Sequence, residues 1–382
     1  MKVLQVLPEL NSGGVERGTV ELARFLVEKG HQSLVVSHGG RLASELSQDG
    51  SRHIALPVHK KSLLSLRLVP QLVKLLEDEQ PDILHLRSRV PAWLFYLAWK
   101  KLSPKSRPRL VTTVHGFYSV NFYSAIMTKG ERVICVSQSV QEYVLENYPR
   151  TSCEKLTVIH RGVDTADYSP HYQPSLDWQE KWREQFPQFK GKILLLLPGR
   201  ITRWKGHEDF LTLLAHLRTR HPGLHGVIAG GPSPGKEGYL AELEVKSQAL
   251  ELADSLTFLG HRSDLREVIA ACDFTLSLSL DPEAFGRVSL EALSLGKPVA
   301  AYAHGGVAEQ LDALFPIGKV PPAEPLQAAN LIEEWLQTPP APPLSNEKFT
   351  LASMCQQTVA VYEELLSSRS LGDRSHSSKK SR

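Results

Sequence analysis

Two glutamates eight residues apart, Glu283 and Glu291, bracket the run Gly286-Arg287-Val288. A helix starting near Gly286 puts Glu283 in the loop before it and Glu291 more than one turn inside it. Two ionised carboxylates so placed can each accept directed hydrogen bonds from different hydroxyl groups of one extended ligand. The free N–H groups of Gly286, Arg287 and Val288 at the helix start suit a phosphate. Taken alone, two glutamates on a helix are more often a solvated face, so the pair gains meaning only from what accompanies it.

A second cluster, Pro198-Gly199-Arg200-Ile201-Thr202-Arg203-Trp204-Lys205-Gly206, follows the apolar run 194–197. Ligands of open parallel sheets collect outside the carboxyl ends of strands, and Arg200 with Lys205 supplies two cations there, suited to a diphosphate. A third, Leu10-Asn11-Ser12-Gly13-Gly14-Val15-Glu16-Arg17, places Gly13 and Gly14 between a strand and a helix, where free N–H groups and the positive end of the helix dipole face an approaching anion. The same glycines also serve a plain tight turn, and G-x-G-x-x-G is absent, which argues against a dinucleotide fingerprint. His115 ends the apolar run 109–115 ahead of Gly116, again at the carboxyl end of a strand. An imidazole there can bond a sugar hydroxyl or phosphate. No D-x-D signature is present, and Cys135, Cys153, Cys272 and Cys355 form no metal-type cluster, so no metal site is expected. Cationic side chains then do the work that a metal ion does in other diphosphate sites.

The elements that must position these groups are short apolar runs alternating with helix-length amphipathic stretches, the pattern of α/β domains with doubly wound parallel sheets. One series spans 2–7, 32–37, 82–86, 109–115, 132–137 and 156–159. A second spans 192–197, 226–229, 256–259, 274–278 and 298–301. A chain of 382 residues with 42% hydrophobic content is long enough to split into two cores. The boundaries read from sequence are a first domain at 1–170, a polar, proline-containing linker at 171–190, a second domain at 191–345, a final helix at 346–366 and a disordered basic tail at 367–382.

The net charge of +3 gives no reason to expect nucleic acid as a partner. The charge is uneven, however: residues 52–109 hold twelve Lys or Arg against four acids. Within that stretch, Trp93-Leu94-Phe95-Tyr96-Leu97-Ala98-Trp99-Lys100-Lys101 joins aromatic and apolar residues to cations, a pattern compatible with peripheral contact with an anionic membrane and equally with packing of a crossover helix. The amino terminus lacks the apolar stretch of a signal peptide, and no run is long enough for a spanning helix. Together with the cysteine usage, this reads as a cytoplasmic protein, peripheral at most.

Taken in order, the motifs resemble a known family, the retaining two-Rossmann-domain (GT-B) glycosyltransferases of the large group-four family, which includes bacterial lipopolysaccharide and capsule enzymes. The resemblance runs from Leu4 to about Leu366. It is carried by Ser12-Gly13-Gly14-Val15-Glu16, Pro81-Asp82-Ile83-Leu84-His85, Val114-His115-Gly116, Val136-Ser137, Val158-Ile159-His160-Arg161-Gly162-Val163-Asp164, Gly199-Arg200 with Lys205-Gly206, and Glu283 with Glu291 followed by Gly305-Gly306.

The resemblance implies two Rossmann-like domains with a cleft between them, and a final helix returning to the first. It implies that Arg200 and Lys205 hold the donor diphosphate, that Glu283 and His115 meet the donor sugar, that Glu291 meets the ribose, and that Gly13 and Gly14 line the site near phosphate and acceptor. The expected activity is retaining transfer from a nucleoside-diphosphate sugar, a UDP-sugar rather than a GDP-sugar, to a glycan or lipid-linked acceptor in lipopolysaccharide, capsule or related polysaccharide synthesis. The nucleotide sugar is a substrate, and no cofactor is expected. A nucleotide-sugar epimerase and a non-catalytic partner protein of the same fold are the competing readings. One departure is Arg161, where the family often has Asn.

Overall fold

The computed structural model describes residues 1–11, 13–232 and 235–377, with side chains through 368. Ser12, the first residue of the glycine motif, lies outside the described residues. The chain divides into two compact units, one formed by Met1–Arg161 with Leu351–Arg382 and the other by Gly162–Thr350.

In unit 1, strands β1 (Lys2–Val6), β2 (Gln32–Ser37), β3 (Arg52–Ala55), β4 (Ile83–Leu86), β5 (Arg109–Val114), β6 (Arg132–Cys135) and β7 (Leu156–Val158) form one parallel sheet in the order β3-β2-β1-β4-β5-β6-β7. Its crossovers carry α1 (Gly14–Glu28), α2 (Ala43–Gln48), α3 (Val69–Glu79), α4 (Arg89–Lys101) and α5 (Gln138–Asn147). The strands read as near-continuous apolar runs because a parallel sheet is covered on both faces. Chain order reverses between β1 and β4, so the turns after these two strands open at a topological switch point.

Unit 2 contains α6 (Leu176–Gln185), β8 (Ile193–Pro198), α7 (His207–Arg218), β9 (Leu224–Ala229), α8 (Gly238–Ala249), β10 (Leu256–Gly260), α9 (Leu265–Ala271), β11 (Phe274–Ser277), α10 (Arg287–Ser294), β12 (Val299–Tyr302), α11 (Gly305–Leu314), β13 (Lys319–Val320) and α12 (Pro325–Gln337). Its sheet is again parallel, in the order β10-β9-β8-β11-β12-β13. Leu195 of β8 stands beside Phe274 of β11 in register, and this β8–β11 seam is the switch point.

The last helix, α13 (Leu351–Ser377), belongs to unit 1. Met354, Cys355, Val359, Val361, Tyr362 and Leu365 pack in one cluster with Val3, Leu22, Leu26, Ile83, Val111, Ile134 and Ile159. The helix begins later than the 346 boundary read from sequence, because Asn346 and Phe349 still belong to unit 2. Asn346 Nδ2 donates to Ser294 Oγ at 2.9 Å, and Thr350 bridges to Val163. It also runs past 366 into the stretch read as a disordered tail. No proline interrupts 351–377, and residues 378–382 lie outside the described residues.

The linker read at 171–190 is not a linker. Trp178, Trp182, Phe186 and Phe189 form an aromatic row whose neighbouring centroids are 4.6–5.1 Å apart, Trp182 is buried, and Trp178 Nε1 donates to Asp264 at 2.7 Å. Spacing of four, four and three residues puts these rings on one face, while the polar residues between them gave the stretch its hydrophilic composition. Its prolines stand at the ends: Pro174 precedes α6, and Pro187 opens the short turn after it. The change of unit falls between Arg161 and Gly162.

The aromatic stretch at 93–101 is α4, and Leu94, Phe95, Ala98 and Trp99 are buried. It therefore packs as a crossover helix. Among the described residues, the most exposed large apolar side chains of unit 1 lie elsewhere, at Leu63 (85% exposed), Leu64 and Leu66 in the turn before α3, and at Val120 and Phe122 (80% exposed) after β5. Trp93 links α4 to the second group, with its ring 5.1 Å from Phe122 and its Nε1 donating to Tyr123 O at 2.9 Å. Among the described residues no helix is long and apolar enough to cross a membrane. Cys135, Cys272 and Cys355 are buried, Cys153 is exposed, and all four are unpaired with one another.

Candidate functional site

In unit 2 the site residues leave the two strands that flank the switch point. After β8 the chain turns through Gly199 and Arg200, and Arg200 stands exposed. A short helical turn, Arg203–Lys205, then leads into α7. Gly206 caps α7 in the left-handed region (φ 71°), and a Cβ there would lie 1.9 Å from Leu278 O. Only glycine satisfies both conditions, and the close approach pins the end of β11 against the Lys205 loop. Leu280 N donates to Trp204 O at 2.7 Å, tying the same two loops together.

This contact brings Lys205 and Glu283 together. Lys205 Nζ donates to Glu283 Oε1 at 2.8 Å and also lies 4.4 Å from the Trp204 ring centroid. Both side chains are less than one-fifth exposed, so the pair is held at low water content, where charge interactions are stronger than at a free surface. Ser279 Oγ donates to the same Oε1 at 2.6 Å, and Glu283 O accepts from Gly306 N at 2.9 Å.

The helix start expected near Gly286 is where α10 begins, with Gly286 as its left-handed cap (φ 83°). A Cβ at this position would meet Val307 Cγ2 at 2.3 Å. The buried Gln310 side chain donates to Phe285 O and, at 3.0 Å, to Gly286 O, fixing the turn that aims the Arg287 and Val288 N–H groups outward from the helix end. Arg287 Nε donates to Glu291 Oε1 at 3.2 Å, one turn along α10, and Glu291 is buried. A guanidinium thus orients the Glu291 carboxylate.

Gly13, Gly14 and His115 belong to unit 1. Gly13 caps α1, and Arg17 N donates to Gly13 O at 3.1 Å. His115 follows β5, its backbone N donating to Tyr118 Oη at 3.1 Å. Its Nε2 is buried without a hydrogen-bond partner among the described residues. Burial, reinforced by Arg161, Arg87 and His85, holds this imidazole well below its ordinary pKa, so it is neutral at pH 7. Nearby, a pocket of about 290 Å³ including its open mouth is lined by His85, Arg87, Thr113, Arg161, Met354 and Thr358, among others. Arg161 reaches it across α1, where Gly18 leaves room for the guanidinium. Among the described residues no group of three His, Cys, Asp or Glu could hold a metal ion.

Comparison with known proteins places this geometry. The family described as Glycosyltransferase Family 4 matches residues 12–167, and the family described as Glycosyl transferases group 1 matches residues 179–348. The chain belongs to these glycosyltransferase families.

A D-inositol 3-phosphate glycosyltransferase of Corynebacterium jeikeium is 31% identical over 184 residues, 47% of this chain and 42% of that protein. A second D-inositol 3-phosphate glycosyltransferase, from Stackebrandtia nassauensis, is 30% identical over 188 residues, 48% of this chain and 41% of that protein. The chain thus spans less than half the length of these curated relatives. A crystal structure of a glycosyltransferase from Rickettsia africae superposes with a TM-score of 0.83 at 29% identity, covering 96% of this chain and 98% of that one. Anabaena HepE, solved in complex with UDP and glucose, superposes with a TM-score of 0.74 at 22% identity, covering 99% of each chain. The two parallel-sheet units are those of the GT-B glycosyltransferase fold.

In this chain the group 1 match contains Arg200, Lys205, Glu283, Arg287 and Glu291, and the family 4 match contains Gly13, Gly14 and His115. Sequence reasoning missed Ser279 and Gln310. Ser279 carried one usable signal, its place just after an apolar strand and four residues before Glu283. Gln310 carried none, since its partners are 24 and 25 residues away in the chain.

Proposed function

We propose that this chain transfers a sugar, with retention of anomeric configuration, from a UDP-sugar to a hydroxyl of a glycan or lipid-linked acceptor in the assembly of a cell-surface polysaccharide such as lipopolysaccharide or capsule. The observation that carries the reading is the Lys205–Glu283 pair beside the exposed Arg200 at the β8–β11 switch point. It supplies two cations for a diphosphate and a carboxylate for sugar hydroxyls within one set of loops.

In the proposed reaction the acceptor oxygen forms a bond to the anomeric carbon on the face from which the diphosphate oxygen departs. The acceptor proton passes to that departing oxygen, so no protein nucleophile is needed. Negative charge grows on the leaving diphosphate, and Arg200, Lys205 and the N–H groups at the start of α10 receive it, which favours the transition state over the bound substrate. Glu291 holds the ribose. Neutral His115 serves as a hydrogen-bonding group to the donor sugar rather than as a charge. No metal ion enters this scheme.

Peripheral contact with an anionic membrane is part of the proposal, and its support has moved with the structure. The exposed Leu63, Leu64 and Phe122, together with the cations of residues 52–109, replace the buried aromatics of α4 as the contacting groups. The direct test is incubation of the chain with a panel of UDP-sugars and membrane or glycan extracts, with UDP release and labelled product both measured. Acceptor-dependent release with an α-configured product from an α-configured donor is expected. Absence of acceptor dependence across the panel would remove the reading.

A further inference from the structure

We infer that Ser279 is a positioning residue for the donor sugar, holding Glu283 in place when Lys205 is drawn toward the diphosphate, with His304 bracing Ser279 from behind. The inference rests on the donor reading above and adds to it a residue that neither the motifs nor the comparisons assign. Glu283 Oε1 accepts from Lys205 Nζ at 2.8 Å and from Ser279 Oγ at 2.6 Å, while Oε2 has no partner among the described residues. Oε2 is therefore the oxygen left for a ligand hydroxyl. Once a diphosphate competes for the Lys205 ammonium, the Ser279 hydroxyl is the remaining side-chain donor on Oε1.

Ser279 is suited to that task because it is itself fixed. It is 3% exposed, and its carbonyl oxygen lies 2.7 Å from His304 Nε2. A carbonyl can only accept, so His304 carries its proton on Nε2. His304 immediately precedes α11, whose Gly306 N–H holds the Glu283 carbonyl at 2.9 Å. Gly305 adopts φ 59°, and a Cβ there would fall 2.4 Å from Glu283 O. Backbone and side chain of Glu283 are thus held by one short segment, Gly305-Gly306 from the main chain and His304 through Ser279. Without the Oγ donor the carboxylate regains rotamers about its three side-chain bonds, and ordering them again on binding weakens the contact to the sugar.

The experiment measures affinity by calorimetry for UDP and for UDP-glucose, UDP-galactose and UDP-N-acetylglucosamine, following whichever sugar gains most over UDP alone. Ser279→Ala is compared with Ser279→Cys, which keeps the volume and lacks a strong donor. Both variants should bind UDP as the unaltered chain does and lose roughly tenfold or more of the preference for the sugar nucleotide over UDP, the scale of one hydrogen bond to a charged group. Adding either change to Glu283→Ala should cost nothing further, since the lost bond acts through that carboxylate. An unaltered chain that binds UDP and a UDP-sugar, with variants that keep the same preference, would overturn this inference alone. A chain that binds no nucleotide sugar would take the donor reading down with it. A thermal midpoint within a few degrees of the parent checks folding, and equal loss for UDP and the sugar nucleotide would show a merely structural role and also overturn the inference.

Discussion

The guanidinium of Arg161 lies over Gly18, its Nη2 only 2.2 Å from where a Cβ at position 18 would be. Arg161 is the residue that departs from the family pattern, and Gly18, in the middle of α1, makes space for it. The pair predicts a change of sign. Gly18→Ala in the natural chain pushes Arg161 off its contact with Gly14 O and should destabilise unit 1 by about 1 kcal/mol. In an Arg161→Ala background the same change should stabilise by up to about 1 kcal/mol, because alanine then brings only its better helix propensity. Urea melts of the four proteins check this. Equal effects in both backgrounds would mean the two residues are not coupled.

Lys205→Ala should lower transfer by on the order of 100-fold, the scale of losing one charge partner of a transition state. Lys205→Arg should restore little, since a planar fork cannot replace a compact ammonium between Trp204 and Glu283. Steady-state rates with a saturating acceptor give the answer, and near-normal turnover in Lys205→Ala would exclude the proposed role.

Glu283→Ala and Glu291→Ala should separate kinetically. Ribose contacts are alike in ground and transition states, so losing Glu291 should chiefly raise KM for the donor. Contacts to the transferring sugar change along the reaction, so losing Glu283 should chiefly lower kcat. Matching effects of both changes on both constants would contradict the assignment.

Stability should fall in mild acid. Burial lowers His207 and His225 of unit 2 to about 4 and holds His85 and His115 of unit 1 well below their ordinary value. The unfolded chain takes up these protons below about pH 6.5 while the folded chain resists, so the contribution is full above that pH and is lost as pH falls toward 4. Each of His207 and His225 accounts for about 1.4 kcal/mol per pH unit across that window. Denaturant titrations at pH 7.5, 6 and 5 should show the decline, and His225→Gln should flatten it for unit 2. A stability that rises on acidification would refute this.

Leu63→Ser, Leu64→Ser and Phe122→Ser together should reduce cosedimentation with anionic liposomes at least tenfold, while leaving the melting temperature nearly unchanged because the three side chains are mostly in water. Raising the salt should weaken binding of the unaltered chain. Unchanged sedimentation of the triple variant would place membrane contact elsewhere or remove it.

The alternation of apolar strands with amphipathic helices was legible because parallel strands are buried on both faces, and so was the start of α10 at Gly286. The edges of the units were not. Residues 171–190 are polar on average, and their fold depends on one face of Trp178, Trp182, Phe186 and Phe189, which composition averages away. The nearness of Lys205 to Glu283, 78 residues apart in the chain, follows from strand order and from Gly206 meeting Leu278, neither of which leaves a local signal. Burial misled at α4: the same Trp93 to Lys101 run suits a membrane or a sheet, and only the packing of Phe95 and Trp99 decides it.

The course of the chain, out of unit 1 after Arg161 and back at Leu351, has a consequence on the ribosome. Unit 2 is continuous, and all of its strands are made before α13 emerges. Synthesis of that interval takes on the order of ten seconds or more at cellular rates. During it the face of the first sheet that Met354, Cys355 and Tyr362 later cover, including Val3, Ile83 and Ile134, stays uncovered. The second unit to begin synthesis is thus the first that can close its core on the nascent chain, and the first to begin is the last to finish folding.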